Sequence, residues 1–279
     1  MQLYHDVSYK MSKQLTQAYS TSFSFGIKAF APEFRDPIYA IYGFVRIADE
    51  IVDTFHEFDK HKLIQKFRED TFEAIENGIS TNPVLHAFQK VVKEYNIDYE
   101  YIDAFLKSME MDLHNSSYER TNYDNYIYGS AEVVGLMCLK VFIKDDKEKF
   151  DSLKMPAKLL GSAFQKVNFL RDIRSDIEER GRIYLPGVDT EFEINDENKS
   201  KLEAEIEEEF EQALVGIKSL PIGVKLGVYS AYLYYQRLFR KIKKCSVDEL
   251  KTKRVRISNA YKFALFLTSL LQVKVLKWT

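Results

Sequence analysis

Gln165, Asn168, Asp172 and Asp176 follow one another at steps of 3, 4 and 4 residues. On a helix that spacing sets four oxygen-bearing side chains along one face. Their neighbours Phe164, Val167, Phe169, Leu170, Ile173 and Ile177 are apolar, so the stripe faces an interior site rather than water. Buried carboxylates demand cations, and Arg171 and Arg174 flank the stripe. A second acidic pair, Asp49 and Asp53, lies four residues apart in Tyr42-Gly43-Phe44-Val45-Arg46-Ile47-Ala48-Asp49-Glu50-Ile51-Val52-Asp53, with Arg46 on the same stripe. Alone, this pair reads better as a solvated face of mixed charge, because acidic pairs four residues apart are common. Two such pairs, each beside an arginine and both in apolar helices, favour a metal–diphosphate site. Carboxylate pairs with open positions suit Mg²⁺, with Mn²⁺ as a substitute, because the ion keeps waters and takes phosphate oxygens. Arginines add bidentate phosphate contacts. Once its charge is neutralised, diphosphate becomes a leaving group.

Helices must hold these residues, and two helices facing across a bundle can offer both pairs to a shared ligand. The apolar spacing predicts helices over Tyr9–Ser22, Ile38–His56 (opened by Pro37 near its first turn), Lys60–Asn77 and Asn82–Tyr95. Further helices are predicted over Asp98–Asn115, Tyr123–Ile143, Lys147–Glu179, Lys201–Leu214, Val224–Lys244 and Ser258–Lys274. Asn77-Gly78 reads as a helix stop, and Asp189–Glu197 as a turn. The charge run of Lys201–Leu214 reads as a solvated face. No alternating strand pattern or repeat is visible. The chain is expected to be all-α, with residues 1–279 as one domain.

Composition sets limits on the function. Among 279 residues, 40 Lys+Arg balance 42 Asp+Glu for a net charge of −2, which argues against a nucleic-acid partner. Hydrophobic residues at 46 % can fill a sizeable core. Two cysteines, Cys138 and Cys245, exclude a disulfide scaffold and a Cys-rich zinc site. Met1–Lys10 has no apolar signal-peptide region. Phe263–Leu271, the longest apolar run near the C-terminus, is short of the roughly 20 residues of a membrane span. The expectation is a soluble, cytoplasmic protein. Lys262, Lys274 and Lys277 around the C-terminal apolar residues leave room for peripheral contact with the inner face of a membrane, although a final core helix is the plainer reading. Only 11 Gly and 6 Pro suit long helices. The 20 Phe and 18 Tyr are ordinary core filling or the wall of a cavity.

Asn168-Phe169-Leu170-Arg171-Asp172-Ile173-Arg174-Ser175-Asp176, followed by Arg180-Gly181-Arg182-Ile183-Tyr184-Leu185-Pro186, resembles the second signature of the squalene/phytoene synthase family. Arg46 through Asp53 resembles its first aspartate-rich motif, in the Asp-Glu-x-x-Asp form of phytoene synthases, and Ser20-Thr21-Ser22-Phe23 its N-terminal element. The likeness runs from about Tyr19 to Arg256. It implies an isoprenoid-synthase helical bundle around a central cavity, and head-to-head joining of two prenyl diphosphates. Asp49 and Asp53 would bind Mg²⁺ at one diphosphate, and Asn168, Asp172 and Asp176 would serve the other metal side. Arg46, Gln165 and Arg171 would contact diphosphate oxygens. Tyr42 and the element Tyr19, Ser20, Thr21 and Ser22 would border the substrate. Tyr128 would stand near the departing diphosphate, and Tyr235 and Arg254 would complete the substrate site.

The acidic motif style points to phytoene from geranylgeranyl diphosphate. Tyr19 agrees, because some bacterial C30 members have His there. The alternatives are a C30 synthase making squalene, dehydrosqualene or presqualene diphosphate, and a non-catalytic assembly or lipid-binding factor; the retained aspartates argue against the last. No NADPH is expected, since no glycine-rich dinucleotide fingerprint is present.

Overall fold

The computed structural model describes residues 1–275, apart from the side chains of Ser22 and Val275; Lys277 lies outside the described residues. Among them the secondary structure is wholly helical. Helix α1 (Gln2–Tyr19) lies along α3 (Pro32–Asp53). Ser8, Ser12 and Thr16 form a fully buried stripe on α1. Each hydroxyl donates to a carbonyl four residues back (Ser8 to Tyr4 at 2.8 Å, Ser12 to Ser8 at 3.2 Å, Thr16 to Ser12 at 2.8 Å). Small, self-satisfied side chains let the two helices approach closely. A Cβ on Gly43 of α3 would stand 3.2 Å from Ser12.

The apolar spacing places the first helix from Tyr9 to Ser22. The chain is instead helical from Gln2, where the Tyr4 hydroxyl ties it to the Ser80 carbonyl at 2.7 Å. It breaks at Ser20, which turns extended and caps α2 (Thr21–Lys28) through the Phe23 amide. Pro32, rather than Pro37, opens α3. Pro32 lacks an N–H where none is needed, and Pro37 forgoes one bond inside the helix.

Helices α4 (Lys60–Asn77), α5 (Pro83–Glu94) and α6 (Tyr99–His114) pack around α3. Phe44 stacks on Phe88 there at 4.0 Å. The expected Tyr123–Ile143 helix is three pieces: α7 (Arg120–Ile127), a π turn (Tyr128–Glu132) and α8 (Val133–Ile143). By length and composition Arg120–Ile143 could cross a membrane, but 56 % of its apolar window is buried inside the protein, as in a core helix.

Helix α9 (Lys147–Glu178) crosses α10 (Asp196–Ser219) where Gly216 meets Pro156. The acidic run on α10 is not simply a solvated face. Lys166 of α9 is buried and pairs with Glu205 at 2.8 Å and Glu209 at 2.7 Å, and buried Lys199 pairs with Glu203 at 2.6 Å. Helix α11 (Ile222–Ile242) and a short α12 (Val247–Thr252), absent from the pattern reading, complete a second core with α9 and α10. The C-terminal segment forms α13 (Asn259–Leu270) and a π turn (Leu271–Val275). It is less a core helix than expected, because Ser269 and Val273 are buried while Phe263, Leu267 and Leu271 are exposed.

Candidate active site

Helix α3 presents Tyr42, Arg46, Asp49 and Asp53, and α9 presents Gln165, Asn168, Asp172 and Asp176. The two stripes meet through one guanidinium. Arg180 reaches Asp176 Oδ1 at 2.8 Å and Asp53 Oδ2 at 3.2 Å. Arg182 holds Asp53 Oδ1 at 2.8 Å. Gly181 lies between these arginines at φ 65°, a left-handed turn that most side chains resist. It reverses the chain after α9 so that both arginines face Asp53.

Across the site, Asp172 accepts Arg171 Nε at 2.9 Å and pairs with Arg254 Nε at 2.7 Å. Arg46 pairs with Glu50 and stands 3.9 Å from Asp49. Its guanidinium lies over the Tyr19 ring at 4.4 Å. Ser20 supplies a hydrogen-bond partner to Tyr42, whose ring stacks on Phe23 at 4.9 Å. Thr21 is exposed at the start of α2. The Tyr235 hydroxyl donates to Asn168 Oδ1 at 3.2 Å, Asn168 donates to Gln165 at 3.3 Å, and Tyr235 stacks on Phe164 at 4.0 Å.

Burial, with Asp53 beside it, pushes Asp49 up to about 7. Burial, with Asp172 beside it, pushes Asp176 up to about 8 against the opposing pull of Arg180. These are oxygen ligands in two pairs, each pair holding like charges together, and they fit Mg²⁺. Among the described residues no three His, Cys, Asp or Glu side chains converge on one point. Each pair would therefore need water and phosphate oxygens to complete a shell.

Behind the stripes lies an apolar cavity of about 270 Å³. Its walls include Phe30, Val134, Phe142, Leu160 and Phe164, and Val45 and Gln165 link it to the two stripes.

Two predicted placements differ. The ring of Tyr128 lies beneath Lys158 at 5.1 Å, and Glu100, Glu132 and Asp98 are its charged neighbours. None of the four aspartates is among these neighbours, and Tyr128 opens the π turn. Tyr126, two residues earlier, points inward and donates to Asp112 at 2.8 Å. Arg174 pairs outward with Glu178 at 2.8 Å. The side chain of Ser22 lies outside the described ones. Sequence reasoning gave no role to Arg180, Arg182 or Asp112. The Arg-Gly-Arg run signals the first two, and nothing local marks Asp112.

The chain is 28% identical over 276 residues to "Phytoene synthase 1, chloroplastic" of Arabidopsis thaliana, an alignment covering 92% of this chain and 64% of that protein. It is 30% identical over 252 residues to the "15-cis-phytoene synthase" of Synechocystis sp., covering 82% and 74%. The chain thus spans somewhat under two thirds of the length of the Arabidopsis relative. In fold it is similar to the crystal structure of a dehydrosqualene synthase in complex with ligand, with TM-score 0.81, 21% identity and coverage of 97% and 98%. It is also similar to squalene synthase HpnC from Alicyclobacillus acidocaldarius, with TM-score 0.74, 19% identity and coverage of 86% and 94%. The sequence pattern of one family matches residues 16–261, and the chain belongs to that family, squalene/phytoene synthase.

Proposed function

We propose that this protein joins two molecules of geranylgeranyl diphosphate head to head to give phytoene. The observation that carries the reading is the pairing of two aspartate stripes through Arg180, beside an apolar cavity. Asp49 and Asp53 would hold Mg²⁺ on one side, and Asn168, Asp172 and Asp176 on the other. Bound there, Mg²⁺ supplies the positive charge that lets a diphosphate leave an allylic carbon. Arg46, Arg171 and Arg254 now lie against carboxylates. As substrate phosphate arrives they would exchange those partners for its oxygens.

The first diphosphate departs with its electron pair. The allylic cation left behind is attacked by the second substrate's double bond, and a proton is lost to close a cyclopropylcarbinyl diphosphate. Loss of the second diphosphate, rearrangement and a second proton loss give the hydrocarbon without a reductant. The cavity walls exclude water from both cations, and aromatic faces such as Phe142 and Phe164 stabilise them.

The test offers equal farnesyl and geranylgeranyl diphosphate with Mg²⁺ and no NADPH, and identifies products by mass. A C40 hydrocarbon is expected. A dominant C30 product overturns the phytoene reading and keeps head-to-head synthesis. Absence of turnover with either donor overturns both.

A further inference from the structure

Asp112, in the last turn of α6, is buried and touches neither the apolar cavity nor Asp49, Asp172 or Asp176 through a hydrogen bond. Its Oδ1 accepts the hydroxyls of Tyr118 at 2.9 Å and Tyr184 at 2.7 Å, and its Oδ2 accepts that of Tyr126 at 2.8 Å. Arg182 Nη1 stands 3.7 Å from Oδ2. The same nitrogen holds Asp53 Oδ1 at 2.8 Å and the Tyr184 hydroxyl at 3.3 Å, while Nη2 donates to the Val52 carbonyl at 3.1 Å. One buried guanidinium is thus divided between Asp53 and a second carboxylate that makes no hydrogen bond to the other three aspartates.

A buried carboxylate is costly, and three phenol donors and a shared cation only partly offset that cost. An apolar residue in its place would leave three buried phenol hydroxyls without their acceptor. What the carboxylate does is electrostatic. Asp53 faces two arginines, and with both charges fully committed to it, little of its own would remain for a cation. Asp112 draws on Arg182 from the opposite side.

We infer that Asp112, in its cage of Tyr118, Tyr126 and Tyr184, is a positioning residue that restrains Arg182 and so keeps the Asp53 carboxylate available to a divalent cation. The inference rests on the reading of Asp49 and Asp53 as metal ligands, and its test is binding rather than turnover.

The full chain is titrated with Mn²⁺ in the presence of inorganic diphosphate, with free Mn²⁺ followed by electron paramagnetic resonance. Asp112→Asn is expected to weaken binding about 10-fold or more, with the helical circular dichroism unchanged. The double variant Asp112→Asn/Arg182→Gln removes the competing cation as well, and is expected to recover most of the loss. A folded Asp112→Asn protein with parental affinity overturns the inference, as does a double variant no tighter than the single one. If Asp112→Asn does not fold, Tyr118→Phe carries the test. Losing one phenol donor strengthens the pull of Asp112 on Arg182, so tighter Mn²⁺ binding is expected, and unchanged or weaker binding overturns the inference. Parental binding that survives Asp53→Asn would overturn the metal-ligand reading itself, an outcome distinct from the failure of Asp112 alone.

Discussion

Asp49 and Asp176 hold their protons above the usual carboxylate range for the same first reason, burial, and each has a like-charged neighbour as the second, Asp53 for one and Asp172 for the other. A divalent cation binds only the ionised forms, so each proton must leave as the metal arrives. The metal requirement should therefore relax as pH rises through about 7 and about 8. The half-saturating Mg²⁺ concentration should fall by about tenfold or more between pH 6 and pH 8.5, and a flat profile would remove these two carboxylates from the metal shell. Asp49→Asn and Asp172→Asn keep side-chain volume and delete one charged ligand each. Turnover should fall by roughly 10²-fold or more in each variant, since stabilisation of the leaving charge dominates the barrier. A loss under about tenfold in a normally folded protein would mean these residues are not ligands.

At the scale of elements, the site depends on the reversal after α9. Gly181 has open space around its missing Cβ and a φ of 65°, so a substitution there meets backbone strain alone. Gly181→Ala should cost about 1–2 kcal/mol of stability and should weaken substrate binding, because Arg180 and Arg182 both rely on this turn to reach Asp53. Gly181→Asn tolerates the left-handed region better and should lie between the parent and the alanine variant in a denaturant melt. If alanine costs nothing, the turn does not constrain the arginines. The same contrast explains what is legible in the sequence. The aspartate stripes follow from a rule within one helix, so 3- and 4-residue spacing suffices to find them. Long helices such as α4 and α9 follow from the same periodicity. The cage around Asp112 draws phenols from Tyr118, Tyr126 and Tyr184, which lie 6, 14 and 72 residues further along the chain, and no single helical spacing joins them. Tyr126 reaches Asp112 while Tyr128 opens a π turn, and such a turn has no signature in periodicity. The α10 acid run is partly buried because α9 brings Lys166 to it, which is again a non-local cause.

For the whole molecule, the carboxylates proposed to hold metal also strain the metal-free fold. An aspartate whose proton is held more tightly in the folded than in the unfolded chain makes the folded state the better proton binder. Stability then declines as pH rises from the ordinary carboxylate range toward the raised value. For Asp49 and Asp176 that window closes near about 7 and about 8. The like charges crowd within each helix, Asp49 with Asp53 on α3 and Asp172 with Asp176 on α9, and Arg180 bridges the two pairs, so the repulsion acts chiefly inside each pair. Mg²⁺ with inorganic diphosphate binds the folded state and should relieve it, adding about 2.7 kcal/mol at a hundredfold excess over its dissociation constant. The melting temperature should then rise by several degrees, and the rise should be larger at pH 8.5 than at pH 6. Other titrating groups also move the metal-free melting temperature with pH, so the informative quantity is the difference in metal-induced gain between the two pH values. That difference should shrink in Asp49→Asn and again in Asp176→Asn. An equal gain at both pH values in the parent protein would show that the ligands bind without displacing these protons.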